Sequence, residues 1–175
     1  KPLTQNRAAP DPSMNRRHAL TLLGSTAALS ACSRFATYHG PEVTRLEVYK
    51  GERLLAAFHH DEMLEVYDMN LGFAPTGHKT EYGDGRTPEG EYVIDRRNPN
   101  SEYYLSLGIS YPNEADVAQA RDRGVNPGGD IFIHGTTWPF RGKEDWTAGC
   151  IAVTNREMRQ LYAMVAIGTP ITLYA

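Results

Sequence analysis

Two residues toward the carboxyl end of the chain have the chemistry of a nucleophile and its base, Cys150 and His134. A cysteine thiolate attacks carbonyl carbons, and a neighbouring imidazole can take the thiol proton and lower the thiol pKa. Gly149 lets the backbone approach a substrate closely, so that nearby N–H groups can face a developing oxyanion. The residues alone leave two interpretations of Cys150 open, a nucleophile and a buried structural thiol.

The other cysteine, Cys32, ends a segment that has the features of an export signal. Arg16 and Arg17 lead into an apolar run at residues 19–31 that is too short to span a bilayer as a helix. The Leu-Ser-Ala-Cys sequence of residues 29–32 resembles the lipobox of bacterial lipoproteins, which implies cleavage before Cys32 and acylation of its thiol. The arginine pair resembles a twin-arginine signal, so the export route stays open. The alternative is a buried amphipathic helix with a core cysteine.

The length of the chain predicts one folded domain, and the signal-like segment before it predicts a location in the cell envelope. A chain of 175 residues can bury one good core. We expect a disordered leader or an overlong gene start at 1–13, the export signal at 14–31, a linker at 32–42 and the domain at 43–175. The protein would then be exported and held on a membrane by a lipid on Cys32. A net charge of −3 and the lack of a basic block interleaved with aromatics argue against nucleic acid as a partner.

The hydrophobic pattern predicts a β-rich α+β fold with two short helices. A helix is expected at residues 114–123, ending at Gly124, and a second helix behind a capping box formed by Thr154 and Glu157. Residues 72–90 are too rich in Gly, Pro and Thr for regular structure. Strands are predicted at residues 43–50, 53–58, 64–71, 91–95, 103–111, 131–133, 150–153 and 171–174. The short apolar strand at 131–133 leads directly to His134, at a strand end where side chains project into a cleft.

These motifs resemble a known family. Ile-His-Gly at residues 133–135 and Thr-Ala-Gly-Cys-Ile at 147–151 are similar to the His-Gly…Ser/Thr-x-Gly-Cys signature of the L,D-transpeptidase (YkuD-type) catalytic domain. The likeness extends through residues 83–92 and 101–113 and covers roughly 43–175. It implies a mainly β, sandwich-like catalytic fold.

The resemblance also implies residue roles. Cys150 is then the nucleophile and His134 the base, the carbonyl of Gly135 orients the imidazole, and the amides of Ala148, Gly149 and Cys150 form the oxyanion hole. The expected reaction is acyl transfer on peptidoglycan stem peptides through a Cys150 thioester, with no metal or organic cofactor, in peptidoglycan biosynthesis and cell shape. Two alternatives remain, namely hydrolysis of the same L,D bond or of a lipoprotein–peptidoglycan link, and a non-catalytic peptidoglycan-binding lipoprotein.

Two positions depart from the family pattern. Many members have His before the Gly-Cys pair and Arg two places after the cysteine, whereas this chain has Ala148 and Ala152. Because that Arg is associated with a substrate carboxylate, its absence bears on substrate and acceptor more than on the nucleophile. The departures resemble the subgroup that includes enzymes detaching lipoproteins from peptidoglycan, which adds a lipoprotein C-terminus to the expected partners.

Three further residues are predicted to contact substrate: Trp146, Thr147 and His78. Trp138 and Trp146 flank a loop expected to lie over Cys150, and the pattern fits both a grip on the peptide stem and simple packing of the loop. No metal site is expected from the His-His-Asp-Glu run at residues 59–62, because neighbouring residues of a strand point to opposite faces.

Overall fold

The computed structural model describes residues 33–175, so the predicted leader, the export signal and Cys32 lie outside the described residues. The sheet has eight strands in the order β3-β2-β1-β8-β4-β5-β6-β7. Neighbours are antiparallel except for the pairs β1–β8 and β6–β7, which are parallel. The strands are β1 Arg45–Tyr49, β2 Leu54–His59, β3 Glu62–Asp68, β4 Gly90–Asn98, β5 Ser106–Ile109, β6 Phe132–His134, β7 Ile151–Ala152 and β8 Pro170–Tyr174.

Two helices accompany the sheet within residues 33–175, α1 at Glu114–Asp122 and α2 at Asn155–Met164. This arrangement confirms the predicted mainly β, α+β fold with two short helices. Neither of these helices is long and apolar enough to cross a membrane. One continuous core joins β1, β2, β4 to β8 and α2 through residues such as Leu46, Ile94, Ile133 and Leu161.

The helix ends follow from local sequence. Thr154 accepts a hydrogen bond from the Glu157 N–H, and the Glu157 carboxylate accepts one from the Thr154 N–H, so the predicted capping box is confirmed. An equivalent box of Asn113 and Asp116 begins α1, where the sequence analysis predicted only the helix and its end. Gly124 follows α1 with a φ of +68°, a left-handed conformation that glycine adopts without strain.

Strand β4 links the two halves of the sheet. Its first residues pair with β8, as in Tyr92 with Ile171, and its last residues pair with β5, as in Asn98 with Ser106. The register shifts between Ile94 and Arg96, where β4 carries one extra residue relative to β5. The strand therefore extends three residues beyond the predicted end at residue 95, because it gains a second partner. Strand β5 is shorter than predicted.

The irregular segment at residues 72–89 is anchored by a buried lysine. Lys50 is 2% exposed, and its Nζ donates to the carbonyls of Gly77 at 2.7 Å and Thr87 at 3.0 Å and to Glu89 Oε1 at 2.7 Å. The three ammonium N–H groups thus have three acceptors, one of them charged. This network fixes a segment that lacks secondary structure of its own.

Candidate active site

The parallel pair β6–β7 brings the two predicted catalytic residues together. Ile133 pairs with Ile151 and His134 with Ala152. One further step of this register places Cys150 beside Phe132, so that Cys150 and His134 belong to the same face. Strand spacing and rise put their Cα atoms about 8 Å apart, a gap that the two side chains can bridge.

The imidazole of His134 is buried and fixed in one orientation. Its side chain is 4% exposed, and Nδ1 lies 2.7 Å from the carbonyl oxygen of Gly135. Since a carbonyl only accepts hydrogen bonds, Nδ1 carries the proton, and Nε2 is left with its lone pair. Tyr103 lies against the ring with centroids 4.6 Å apart, and Trp146 meets it edge-on at 5.6 Å. Burial lowers the pKa of His134, and the bond to Gly135 offsets only part of this effect.

The thiol of Cys150 is partly buried and protonated at rest. Its Sγ lies 3.5 Å from the carbonyl oxygen of Asp130. Burial raises the pKa of Cys150, while a backbone hydrogen bond with Phe132 acts in the opposite direction. Within the described part of the chain no hydrogen bond joins Sγ to the imidazole. The expectation that His134 lowers the thiol pKa is therefore not met in this structure, because desolvation dominates and the resting pair is a thiol beside a neutral imidazole.

A tight turn sets the approach to Cys150. The buried Thr147 hydroxyl donates to the Cys150 carbonyl at 2.7 Å and accepts from the Gly149 N–H at 3.1 Å. Gly149 has a φ of +130°, and a Cβ there would lie 2.6 Å from the carbonyl oxygen of Arg86. Only glycine fits this position.

This turn bears on two predictions. The Thr147 hydroxyl is engaged within the turn, where it positions the backbone before Cys150, and its contact with substrate stays a prediction. The Gly149 N–H is likewise engaged, so it is not free to bind an oxyanion in this conformation. An oxyanion hole formed by Ala148 and Cys150 stays a prediction.

Aromatic residues of the loop between β6 and β7 cover the imidazole. Phe140 stacks on Trp146 with centroids 4.1 Å apart, and Tyr103 adjoins both rings. Trp138 is 82% exposed and takes no part in this cluster. Trp146 therefore packs the loop onto His134, and its contact with substrate stays a prediction.

His78 lies outside this cluster. Its Nδ1 accepts from the Glu89 N–H at 2.9 Å, and its Nε2 lies 3.1 Å from Asp116 Oδ1. With both ring nitrogens engaged, His78 links the 72–89 segment to α1. The predicted substrate contact has no support in this geometry.

A cavity of about 960 Å³ lies beside the site. Ala152 forms part of its wall, together with Asn70 and the ion pair of Arg53 and Asp145. Neither Cys150 nor His134 lines it. Ala152 is fully buried and exchanges two backbone hydrogen bonds of 2.8 Å with Asn70, so its methyl group brings no charge to the wall of this cavity.

Four residues near the site were not predicted from the sequence: Tyr103, Phe132, Asp130 and Arg96. Phe132 carried a usable signal, because it stands two residues before His134 on one strand and thus shares its face. The others come from loops or a distant strand and carry no local mark of their role.

The signature residues, their order and this geometry agree with one family model, the L,D-transpeptidase catalytic domain YkuD, which matches residues 43–173. The chain belongs to this family. Two relatives carry L,D-transpeptidase in their names. YafK of Escherichia coli strain K12 is 27% identical over 126 residues, covering 69% of this chain and 46% of its own. YkuD of Bacillus licheniformis is 26% identical over 134 residues, covering 74% and 64%. The chain thus spans about half to two thirds of these relatives.

Solved structures of the YkuD fold are similar in architecture. The helical cell shape determining protein Pgp2 of Campylobacter jejuni, as its K307A mutant, gives a TM-score of 0.60 at 23% identity over 83% of this chain and 52% of its own. An L,D-transpeptidase from Mycobacterium smegmatis gives 0.53 at 15% identity over 78% and 60%. At these identities the likeness shows the fold alone.

Proposed function

We propose that this YkuD-family domain is a cysteine acyltransferase that acts on peptidoglycan stem peptides through a thioester on Cys150. The observation that carries the proposal is the buried imidazole of His134, whose Nδ1 is held by Gly135 and whose Nε2 lone pair is left for a proton. A base locked in one tautomer beside the strand that directly follows Cys150 is the arrangement required for activating a thiol.

The first half-reaction cleaves an amide. As Sγ attacks the carbonyl carbon between an L-centre and a D-residue, the thiol proton passes to Nε2 of His134. Backbone N–H groups of Ala148 and Cys150 stabilise the tetrahedral oxyanion. The C–N bond then breaks, the imidazolium returns its proton to the departing amine, and the acyl group stays on sulfur as a thioester. A resting thiol and a neutral base suit this sequence, because proton transfer and attack occur together.

The second half-reaction transfers the acyl group from sulfur to an acceptor. An amine gives a cross-link or a lipoprotein tether, and water gives hydrolysis. In either case the acceptor attacks the thioester carbonyl and passes a proton to His134. The C–S bond then breaks, and the departing sulfur takes that proton from the imidazolium, which restores the thiol and the neutral base. A lipoprotein C-terminus on peptidoglycan is a second candidate substrate for hydrolysis.

The lack of an arginine at position 152 favours water as the acceptor. A charge-assisted hydrogen bond is worth about 1.5 to 3 kcal/mol, so losing the Arg found in many relatives weakens the hold on a charged acceptor roughly tenfold to a hundredfold. Incubation with a disaccharide tetrapeptide should yield mainly hydrolysed species by mass spectrometry. A dominant cross-linked dimer at modest substrate concentration would show that this substitution does not decide the acceptor.

The direct test of catalysis compares two cysteine substitutions in the full chain. Cys150→Ala should abolish release of the D-residue while the thermal transition persists, because the substitution removes a single sulfur atom whose hydrogen bond to the Asp130 carbonyl is long, at 3.5 Å. Cys32→Ala is the matched control and should leave turnover unchanged. Residual turnover in Cys150→Ala would remove the nucleophile assignment. Binding to peptidoglycan without turnover in the unmodified chain would favour a non-catalytic binding protein.

The proposed location is the cell envelope, with the protein held on a membrane by a lipid on Cys32. The lipobox-like sequence supports this proposal. A single acyl chain binds membranes weakly, so stable anchoring requires more than one chain at Cys32. Cys32→Ala should therefore move the protein from the membrane to the soluble fraction, and unchanged membrane binding would contradict the lipid anchor.

A further inference from the structure

One row of residues runs across the sheet toward the nucleophile. Arg96 of β4 pairs with Gly108 of β5, and Gly108 pairs with Phe132 of β6. The β6–β7 register continues the row to Cys150. Because directly paired residues project from the same face of a sheet, Arg96 lies on the face that carries the thiol.

Gly108 has no side chain, so the side chain of Arg96 can pass over it toward β6. A Cβ at Gly108 would lie 2.3 Å from Arg96 Cγ, so the side chain of Arg96 occupies the space that a larger residue would fill. The guanidinium carbon reaches a point 4.6 Å from the ring centroid of Phe132, two strands away. A cation–π contact holds it there.

The two residues that hold the guanidinium also contact the thiol. Nη2 of Arg96 donates to Asp130 Oδ1 at 3.1 Å, and the carbonyl oxygen of Asp130 lies 3.5 Å from Cys150 Sγ. Phe132 supports the guanidinium with its ring and stands beside Cys150 when the β6–β7 register is continued by one residue. The position of the positive charge is therefore fixed relative to the nucleophile.

Arg96 also has donors to spare. Its side chain is 44% exposed, with Nη2 bonded to Asp130 and Nε 3.7 Å from Asp95 Oδ1, and within residues 33–175 its Nη1 makes no hydrogen bond. Lys79 is another cation whose charge acts on Cys150, but it is 3% exposed and is bonded to Asp84 and to the carbonyl of Glu81. Arg96 is thus an accessible cation beside the thiol, and its planar fork of N–H groups matches a carboxylate.

We infer that Arg96 is a specificity-determining residue that binds the free carboxylate of the D-residue released when Cys150 attacks the stem peptide. This inference rests on the proposed function, because cleavage of the bond before a terminal D-residue places the carboxylate of that residue next to the scissile amide. Arg96 approaches from the β6 side, whereas the position of Ala152 lies further along β7. The substrate would gain a guanidinium contact from β4 even though β7 supplies none.

The test compares two synthetic stem tetrapeptides that differ only at the C-terminus, a carboxylate and a carboxamide. With the full chain, kcat/KM should favour the carboxylate roughly tenfold to a hundredfold. Arg96→Gln should remove this preference, mainly by slowing the carboxylate substrate, and Arg96→Lys should keep part of it. Arg45→Gln is a matched control, because Arg45 also stacks on an aromatic ring, Phe58 at 4.1 Å, and pairs with Glu47. It should keep the full preference.

The outcomes separate this inference from the proposed function. An unchanged preference in folded Arg96→Gln overturns the inference and leaves the acyl transfer intact. Equal slowing of both peptides would also overturn it, because Arg96 would then act on the thiol and not on the carboxylate. If the unmodified chain releases a D-residue from neither peptide, the proposed function fails and the inference with it.

Discussion

Lys50 and His134 are both buried basic side chains, yet their surroundings differ in kind. Lys50 has an acceptor for each of its three N–H groups, including the carboxylate of Glu89. The imidazole of His134 has one hydrogen bond, from Nδ1 to Gly135, and two aromatic rings against it, those of Tyr103 and Trp146. Within residues 33–175, its Nε2 makes no hydrogen bond.

This difference separates a structural group from a catalytic one. Burial lowers the pKa of both side chains, but the charged partner of Lys50 opposes the effect, whereas only a backbone carbonyl does so at His134. A fully paired ammonium holds the 72–89 segment in place. An imidazole with one nitrogen fixed and the other open can accept and return a proton. The comparison predicts that Lys50 acts on stability and His134 on rate.

The largest effect is expected at Lys50. Lys50→Met leaves Glu89 and two carbonyls without their donor and should lower the free energy of unfolding by about 3 kcal/mol. The folded fraction should keep its turnover. Arg123→Met is the control, because Arg123 pairs with Glu81 at 3.4 Å on the surface, and its loss should cost under about 1 kcal/mol. Equal losses of unfolding free energy in Lys50→Met and Arg123→Met, measured by chemical denaturation, would contradict the structural role of Lys50.

The next effect is at His134. His134→Ala should lower kcat/KM roughly a hundredfold or more through loss of a positioned general base. His78→Ala provides the matched control. It should cost about 1 to 3 kcal/mol of stability through two lost hydrogen bonds, with little change in the rate of the folded protein. A His78→Ala protein with a much lower kcat/KM and unchanged stability would contradict the structural role given to His78.

Thr147 is expected to affect both stability and rate, because its hydroxyl is hydrogen-bonded within the turn that positions Cys150. Thr147→Val removes both hydrogen bonds that shape the turn before Cys150. We expect a loss of about 1 to 2 kcal/mol in unfolding free energy and about a tenfold fall in kcat, with KM little changed. Thr147→Ser, which keeps the hydroxyl, should restore most of the rate. If KM alone rises, the residue contacts substrate as the sequence first suggested.

The smallest effect is the pH dependence of His134. Its pKa is lowered from 6.5, so the neutral, active form persists until the pH falls below that value. The acid limb of kcat/KM should therefore have its midpoint below pH 6.5. The unfolded chain takes up this proton at higher pH than the folded one, so the free energy of unfolding should also decline as the pH falls below 6.5. A limb centred above 6.5 would indicate an imidazolium at rest.

Local sequence was sufficient for part of this account. Hydrophobic alternation predicted strands at residues 43–50 and 53–58, which pair as β1 and β2, and the capping box of Thr154 and Glu157 predicted the start of α2. The apolar runs at 131–133 and 150–153 also predicted that His134 and Cys150 lie at the ends of short strands. These features depend on residues that are close in the chain.

The rest depends on pairing between distant strands. Residues two apart on a regular strand share a face, so the sequence pattern places Arg96 on the face of Ile94. The bulge between these two residues reverses the alternation, and Arg96 lies on the opposite face. Arg97 takes the other face and lies over the Tyr162 ring of α2 at 4.1 Å. The thiol pKa was also beyond local sequence, because burial of Cys150 is set by the whole fold.

The most direct test of the central claim is intact-mass spectrometry of the full chain, quenched with acid soon after mixing with a stem tetrapeptide. Acyl transfer through Cys150 predicts a mass increase equal to the peptide minus the released free D-amino acid, located on the Cys150 fragment. The adduct should be absent in Cys150→Ala and form roughly a hundred times more slowly in His134→Ala. Release of the D-residue with no adduct at any time in the unmodified chain, together with undiminished release by Cys150→Ala, would contradict it.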